Sequence, residues 1–317
     1  MPERWIERHR LSVYYVLSLL IAMGVMAVSI LRPGAPDVLG GLRDFLHREH
    51  LTASALAIIR YAVAEEPMAW LILIFAGAPA LAALAVSAGI GRGAFGTLLR
   101  RFRPWRASSV RSRALRFYLT WGVISGAVMA WYYWMGSRHG APEQLAFRDA
   151  ALGTSPIAVA AWLLASHLFD EGGTLEELGW RGFALPVLLE RFGSPLRASV
   201  VLGTIWMAWH LPREIPGLLA GQPVLPFLEG QLVFLILTIA LSVLCTYGYL
   251  ETGGSVLPAI VIHGGSNVWS KALGEPLYPF LSGPVDPRTA IVVALAVVVV
   301  ATGRLRGPGS GLPPAPS

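Results

Sequence analysis

Long apolar stretches alternate with short polar segments along most of this chain. Eight stretches span or nearly span a bilayer, which takes about 20 helical residues with a range of roughly 17–25. They lie at 11–31, 68–90, 117–136, 150–169, 197–212, 225–249, 255–273 and 288–303, and the fifth and eighth are short. The pattern predicts an all-α fold, a polytopic membrane helical bundle of about eight transmembrane helices. We expect residues 1–306 to form one integral-membrane domain.

Three segments between or after these stretches are less regular. Residues 37–66 have mixed polarity, and their 51–63 part fits either a helix lying on the membrane surface or a loop. Residues 178–190 contain Pro186 and fit a short or kinked helix. The tail at 307–317 is rich in Gly, Pro and Ser, and we expect it to be disordered.

Composition supports a membrane protein. Of 317 residues, 55% are hydrophobic and 14% are charged, whereas a soluble domain carries about 25% charged residues. The single cysteine, Cys245, lies in an apolar stretch. A disulfide framework and a thiolate metal site are therefore excluded.

The arginines predict an orientation. Eight of them lie between Arg92 and Arg116, where there is no acidic residue. The positive-inside rule places this segment in the cytoplasm, so eight spans put both termini there, in a bacterial-type inner (cell) membrane. The aromatic run 131–134 then falls at the outer membrane interface. The bilayer explains this basic segment better than nucleic acid does, and we expect no nucleic-acid partner.

A first polar group interrupts the apolar second half at Glu176, Glu177 and Arg181. Ionisable residues at membrane depth are costly and are functional candidates. Thr174 and Glu177 fit a capping box, which predicts that a helix begins here, while Gly172–Gly173 would break a helix arriving from upstream. Glu177 and Arg181 are then i,i+4 neighbours that can pair, and Glu176 lies about 100° away and remains free.

Two further polar groups lie in separate apolar stretches. His210 taken alone fits a structural histidine bonded to a backbone carbonyl. His263 and Asn267 lie one helical turn apart, with Gly264–Gly265 between them as packing glycines or as room for a substrate. An imidazole beside an amide suits donors for an oxyanion. Together with a carboxylate that takes a proton from water, this set suits hydrolysis.

The order of these motifs resembles a known family. E-E-x-x-x-R, aromatic-x-x-x-H and H-x-x-x-N on successive membrane segments are similar to the CPBP family of intramembrane proteases. That family contains the CAAX prenyl endopeptidases and the bacterial Abi or bacteriocin-processing homologues. The resemblance covers about 174–267, within a motif-bearing core of about 150–273. Trp206 departs from the family's usual Phe, and because both are aromatic we expect little consequence.

The resemblance implies a role for each motif residue. Glu176 is the general base, and His210 helps to hold the attacking water. His263 and Asn267 form the oxyanion site, and Arg181 fixes the site through the second glutamate. The implied activity is a glutamate-dependent intramembrane endopeptidase acting on a membrane-associated peptide or protein. An inactive scaffold or bacteriocin-immunity protein of the same fold is the alternative, and a small transporter is a third.

Metal dependence stays open between two alternatives. Glu176, His210 and His263 are one carboxylate and two imidazoles, the ligand set of a catalytic Zn²⁺ site with an open fourth position. However, the chain has no H-E-x-x-H motif. If zinc took Glu176, Glu177 would have to leave Arg181 to act as the base. We therefore favour a metal-free site with no cofactor.

Overall fold

The computed structural model describes residues 5–31, 37–49, 54–139, 156–271 and 287–305, and the regular elements in these ranges are helices. In chain order they are α1 Trp5–Arg8, α2 Arg10–Leu31, α3 Val38–Arg48, α4 Ala55–Ala64, α5 Trp70–Ile90, α6 Arg92–Leu99, α7 Arg111–His139, α8 Pro156–Phe169, α9 Glu171–Gly179, α10 Leu185–Phe192, α11 Pro195–His210, α12 Ile215–Leu219, α13 Val224–Glu251, α14 Leu257–Lys271 and α15 Pro287–Ala301. A π-helical turn, Trp180–Ala184, joins α9 to α10.

The predicted all-α membrane bundle is confirmed. Each of the eight apolar stretches contains a helix in the described residues. Within the part of the chain that the structure describes, three helical segments are long and apolar enough to cross a membrane, namely Arg10–Leu31, Pro67–Ile90 and Val224–Glu251. The other apolar stretches hold helices that are shorter or less uniformly apolar, so the number of spans stays a prediction.

Local signals account for several helix ends. The Ser194 hydroxyl accepts a hydrogen bond from the Arg197 amide at 3.4 Å, and Pro195 follows at the first helical position of α11. Helix α10 ends at Gly193, which has a left-handed backbone with φ of 56°. The segment around Pro186 is therefore a short helix, as the sequence predicts.

One helix start differs from the sequence prediction. Helix α9 begins at Glu171, and its N-cap is Asp170, whose carboxylate accepts the Gly173 amide at 2.9 Å. The Thr174 capping box is therefore wrong, because the Thr174 hydroxyl donates instead to the Leu168 carbonyl at 2.5 Å. Aspartate is as good an N-cap as threonine, and it moves the helix break upstream of Gly172–Gly173.

The segment between the first two predicted spans is also largely helical. Helices α3 and α4 pack through a small cluster that includes Phe45, Ile58 and Tyr61. Residues 55–63 therefore take the helical alternative, and 51–53 lie outside the described residues. The predicted tail at 307–317 and the side chains of 132–134 lie outside them too.

Close approach between helices fixes the core around α9 and α13. A side chain at Gly179 would overlap the Pro79 backbone, so α9 can lie directly against α5. A side chain at Gly203 would meet the Ile239 Cα at 2.6 Å, so α11 lies directly against α13. Helix α14 packs against both α9 and α13. The three motif-bearing segments therefore share one packed core.

The arginine-rich segment is not a simple loop. It contains α6 and two short 3-10 turns, and Arg101 is buried. The Arg101 guanidinium donates to the Tyr249 hydroxyl and, at 3.2 Å, to the Gly254 carbonyl. The Val256 amide donates back to the Arg101 carbonyl at 2.9 Å. One arginine of the eight thus anchors the segment to the turn between α13 and α14, and the others are exposed or half-buried.

Candidate active site

Glu176 lies on α9 with its two carboxylate oxygens in different surroundings. Oε2 accepts hydrogen bonds from the indole N–H groups of Trp180 at 3.1 Å and Trp206 at 2.7 Å. Oε1 lies 3.9 Å from Nε2 of His210, and both side chains are largely buried. This distance is too long for a direct hydrogen bond and is suited to a bridging water.

His210 is held at the end of α11 by its other ring nitrogen. Nδ1 lies 2.9 Å from the Trp206 carbonyl, which can only accept, so Nδ1 carries the hydrogen. In the neutral ring, Nε2 is then an acceptor that faces Glu176. The backbone bond matches the structural alternative for this histidine, and the geometry allows both purposes at once because each uses a different nitrogen.

Glu177 and Arg181 form the predicted i,i+4 pair. The Arg181 Nη1 donates to Glu177 Oε1 at 2.8 Å, and both side chains are fully buried. The Arg181 Nη2 also donates to the Ser242 hydroxyl at 2.9 Å, and its guanidinium lies 4.6 Å from the centre of the Trp206 indole ring. This pair ties α9 to α11 and α13 beneath the site, and the prediction of the pair is confirmed.

The structure adds a partner for each residue of the predicted His/Asn pair. The His263 Nδ1 lies 2.9 Å from Glu177 Oε1, so it shares the carboxylate with Arg181. The Asn267 Nδ2 donates to the Asp170 carboxylate at 2.8 Å. Asp170 lies outside the three sequence motifs. Its signal was present as an aspartate immediately before the helix that carries the glutamates, which is the preferred type at an N-cap.

These side chains line one cavity of about 740 Å³. Its polar lining includes Glu176, His210, His263 and Asn267, and Gly172 lies among them. Much of the rest is apolar and comes from the first half of the chain, which carries no motif; these residues are Val25, Met26, Val38, Leu39, Met68, Leu71, Ile72, Phe75 and Ala76. The cavity therefore has the form of a small-molecule or peptide pocket with a few convergent polar groups.

The described residues do not place a zinc ligand set together. No group of three or more His, Cys, Asp and Glu side chains among them is arranged to hold a metal ion. His263 directs Nδ1 to Glu177, and Glu176 uses Oε2 to accept two indole N–H groups. The preference for a metal-free site stays a prediction.

Comparison with known proteins agrees with the motifs. Residues 156–269 match the family model of the Type II CAAX prenyl endopeptidase Rce1-like proteins. This match supports membership of the CPBP family over that segment. A CAAX prenyl protease 2 from Methanococcus maripaludis is 30% identical over 91 residues, which is 28% of this chain and 33% of that protein. The match thus spans about a third of that relative's length. The six motif residues of this chain fall inside the matched segment.

Proposed function

We propose that this membrane protein is a water-using endopeptidase, in which Glu176 is the general base. The observation that carries the proposal is the position of Glu176 Oε1 in the cavity, 3.9 Å from His210 Nε2. A water between them donates one hydrogen to the carboxylate and the other to the imidazole. Because Oε2 accepts the two indole hydrogen bonds, Oε1 is the oxygen that accepts the proton from water.

The reaction follows from these placements. Glu176 takes a proton from the water, the water oxygen bonds to the peptide carbonyl carbon, and the carbonyl electron pair moves onto its oxygen. When the tetrahedral intermediate collapses, the C–N bond breaks and the leaving nitrogen takes the proton from Glu176. The products are a carboxyl group and an amine, so the base returns to its starting state.

His263 and Asn267 supply the oxyanion site in this proposal. Nδ1 of His263 donates its hydrogen bond to Glu177, so the ring nitrogen that faces the substrate is Nε2. Nε2 donates a hydrogen bond when the ring is doubly protonated. The second donor is the Asn267 side-chain nitrogen Nδ2, which Asp170 orients by accepting one of its hydrogen bonds. Hydrogen-bond donors fixed in advance stabilise the charge that develops on the substrate oxygen.

Glu177 and Arg181 then act as positioning residues. Glu177 holds the His263 ring through Nδ1, and Arg181 balances the charge of the same carboxylate. The apolar walls of the cavity favour a membrane-associated peptide or protein as substrate. Because one relative is named CAAX prenyl protease 2, the test compares substrates with and without a prenyl group.

The test uses the full chain, purified in detergent or in proteoliposomes. It is incubated with two matched libraries of membrane-anchored peptides, one with a prenylated cysteine near the carboxyl end and one without. Mass spectrometry should find discrete peptide-bond cleavage in at least one library, and the library that is cut identifies the substrate class. A folded protein that cuts neither library would overturn the proposal.

A further inference from the structure

Gly172 lies in the first turn of α9 and lines the cavity beside the proposed oxyanion donors. Its backbone is helical, and its φ is not positive. Glycine is therefore not required by the backbone conformation, and it is among the poorest helix formers. A reason for glycine at this position must come from the space around it.

The space next to Gly172 is defined by the two donors. A Cβ atom built there would lie 3.0 Å from Nε2 of His263 and 3.3 Å from Nδ2 of Asn267. A methyl group there would be in tight contact with both nitrogens, in the cavity that all three residues line. Any side chain at residue 172 would therefore crowd the space from which a substrate oxygen approaches both donors.

We propose that Gly172 is a positioning residue whose missing side chain leaves the place for the substrate's oxyanion. The oxygen lies in van der Waals contact with the Gly172 Cα and within reach of the His263 imidazole and the Asn267 amide, and a side chain at residue 172 would obstruct it. This inference rests on the proposed peptidase function and adds a geometric requirement to it. A reacting atom close to both donors is the arrangement that oxyanion stabilisation needs.

Two other glycines show that the requirement is specific to Gly172. A Cβ at Gly173 would meet the Gly264 backbone nitrogen at 2.8 Å and the Ile260 carbonyl at 2.9 Å, so that glycine serves the packing of α9 on α14. A Cβ at Gly77, a buried helical glycine in α5, would meet nothing within 4 Å. Gly172 alone of these three would direct a new carbon at the two donors.

The experiment compares Gly172→Ala, Gly173→Ala and Gly77→Ala with the wild type. The substrate is the library peptide that the wild type cuts fastest. Gly172→Ala should lower kcat about 10²–10³-fold, the usual loss when an oxyanion contact is removed. Its unfolding midpoint should stay close to that of the wild type, because the helix preference of alanine offsets the tight contact of its methyl group with the His263 ring. Gly77→Ala should keep full activity, and Gly173→Ala should lose yield or thermal stability.

A second probe separates this role from a general packing effect. The probe is the phosphinate analogue of the same peptide, which presents a tetrahedral anionic oxygen at the scissile position. The wild type should bind it at least about 10²-fold more tightly than the uncleaved peptide, and Gly172→Ala should lose that preference while KM changes little. If Gly172→Ala keeps both its kcat and its preference for the phosphinate while Glu176→Gln is inactive, the role of Gly172 is overturned and the proposed function stands. A fully active Glu176→Gln protein would overturn the proposed function itself.

Discussion

The buried pair of Glu177 and Arg181 gives a prediction about stability rather than chemistry. Glu177→Gln keeps the shape of the side chain but removes its charge. The Arg181 guanidinium is fully buried, and Glu177 is its anionic hydrogen-bond partner at 2.8 Å. Leaving one ion of a buried pair without its counter-charge costs roughly 3–5 kcal/mol. The substitution also weakens the bond that holds His263 at 2.9 Å. We therefore expect Glu177→Gln to lower the free energy of unfolding by about 3–5 kcal/mol.

The assay is tryptophan fluorescence during unfolding by increasing denaturing detergent, started from the same mild-detergent preparation. Glu176→Gln is the matched control, because the glutamine oxygen can still accept the indole N–H groups of Trp180 and Trp206. Its stability should change by less than about 1 kcal/mol. A double variant, Glu177→Leu with Arg181→Met, should recover part of the loss, since it removes both charges together. Wild-type stability in Glu177→Gln would refute the reasoning.

Three further outcomes follow. Trp206→Phe removes the indole donor that lies 2.7 Å from Glu176 Oε2. We expect kcat to fall by about 10-fold or more, since a hydrogen bond to a charged group contributes roughly 1.5–3 kcal/mol. Unchanged kinetics would show that catalysis does not depend on this bond. Reporter fusions after Arg113 and after Arg306 should both read cytoplasmic, and an external signal from either would change the span count by an odd number. Elemental analysis of active protein should find no stoichiometric zinc, with activity retained after chelation by phenanthroline; zinc lost and restored together with activity would overturn the metal-free preference.

The sequence predicts the parts of the site that depend on local spacing. Glu177 and Arg181 are four residues apart on one helix, and this spacing was enough to predict their pair and to leave Glu176 for another purpose. The long apolar helices follow equally directly, because 20 or more apolar residues have few alternatives in a membrane.

What the sequence could not predict depends on contacts between distant segments. Asp170 meets Asn267 across 97 residues, and Arg101 meets Tyr249 across 148. The apolar cavity walls from α2, α3 and α5 could not be predicted either, because that half of the chain carries no motif. For Trp206 the sequence predicts only an aromatic side chain. The hydrogen bond that its indole N–H donates to Glu176 depends on the packing of α11 against α9.

The central claim is that Glu176 activates water for peptide hydrolysis. The most direct measurement is kcat of Glu176→Gln against the wild type, on the best-cleaved library peptide, with both proteins at matched unfolding stability. The account predicts a fall of about 10²–10⁴-fold in kcat, which is the usual contribution of a positioned general base. A Glu176→Gln protein that hydrolyses the peptide at the wild-type rate would contradict it.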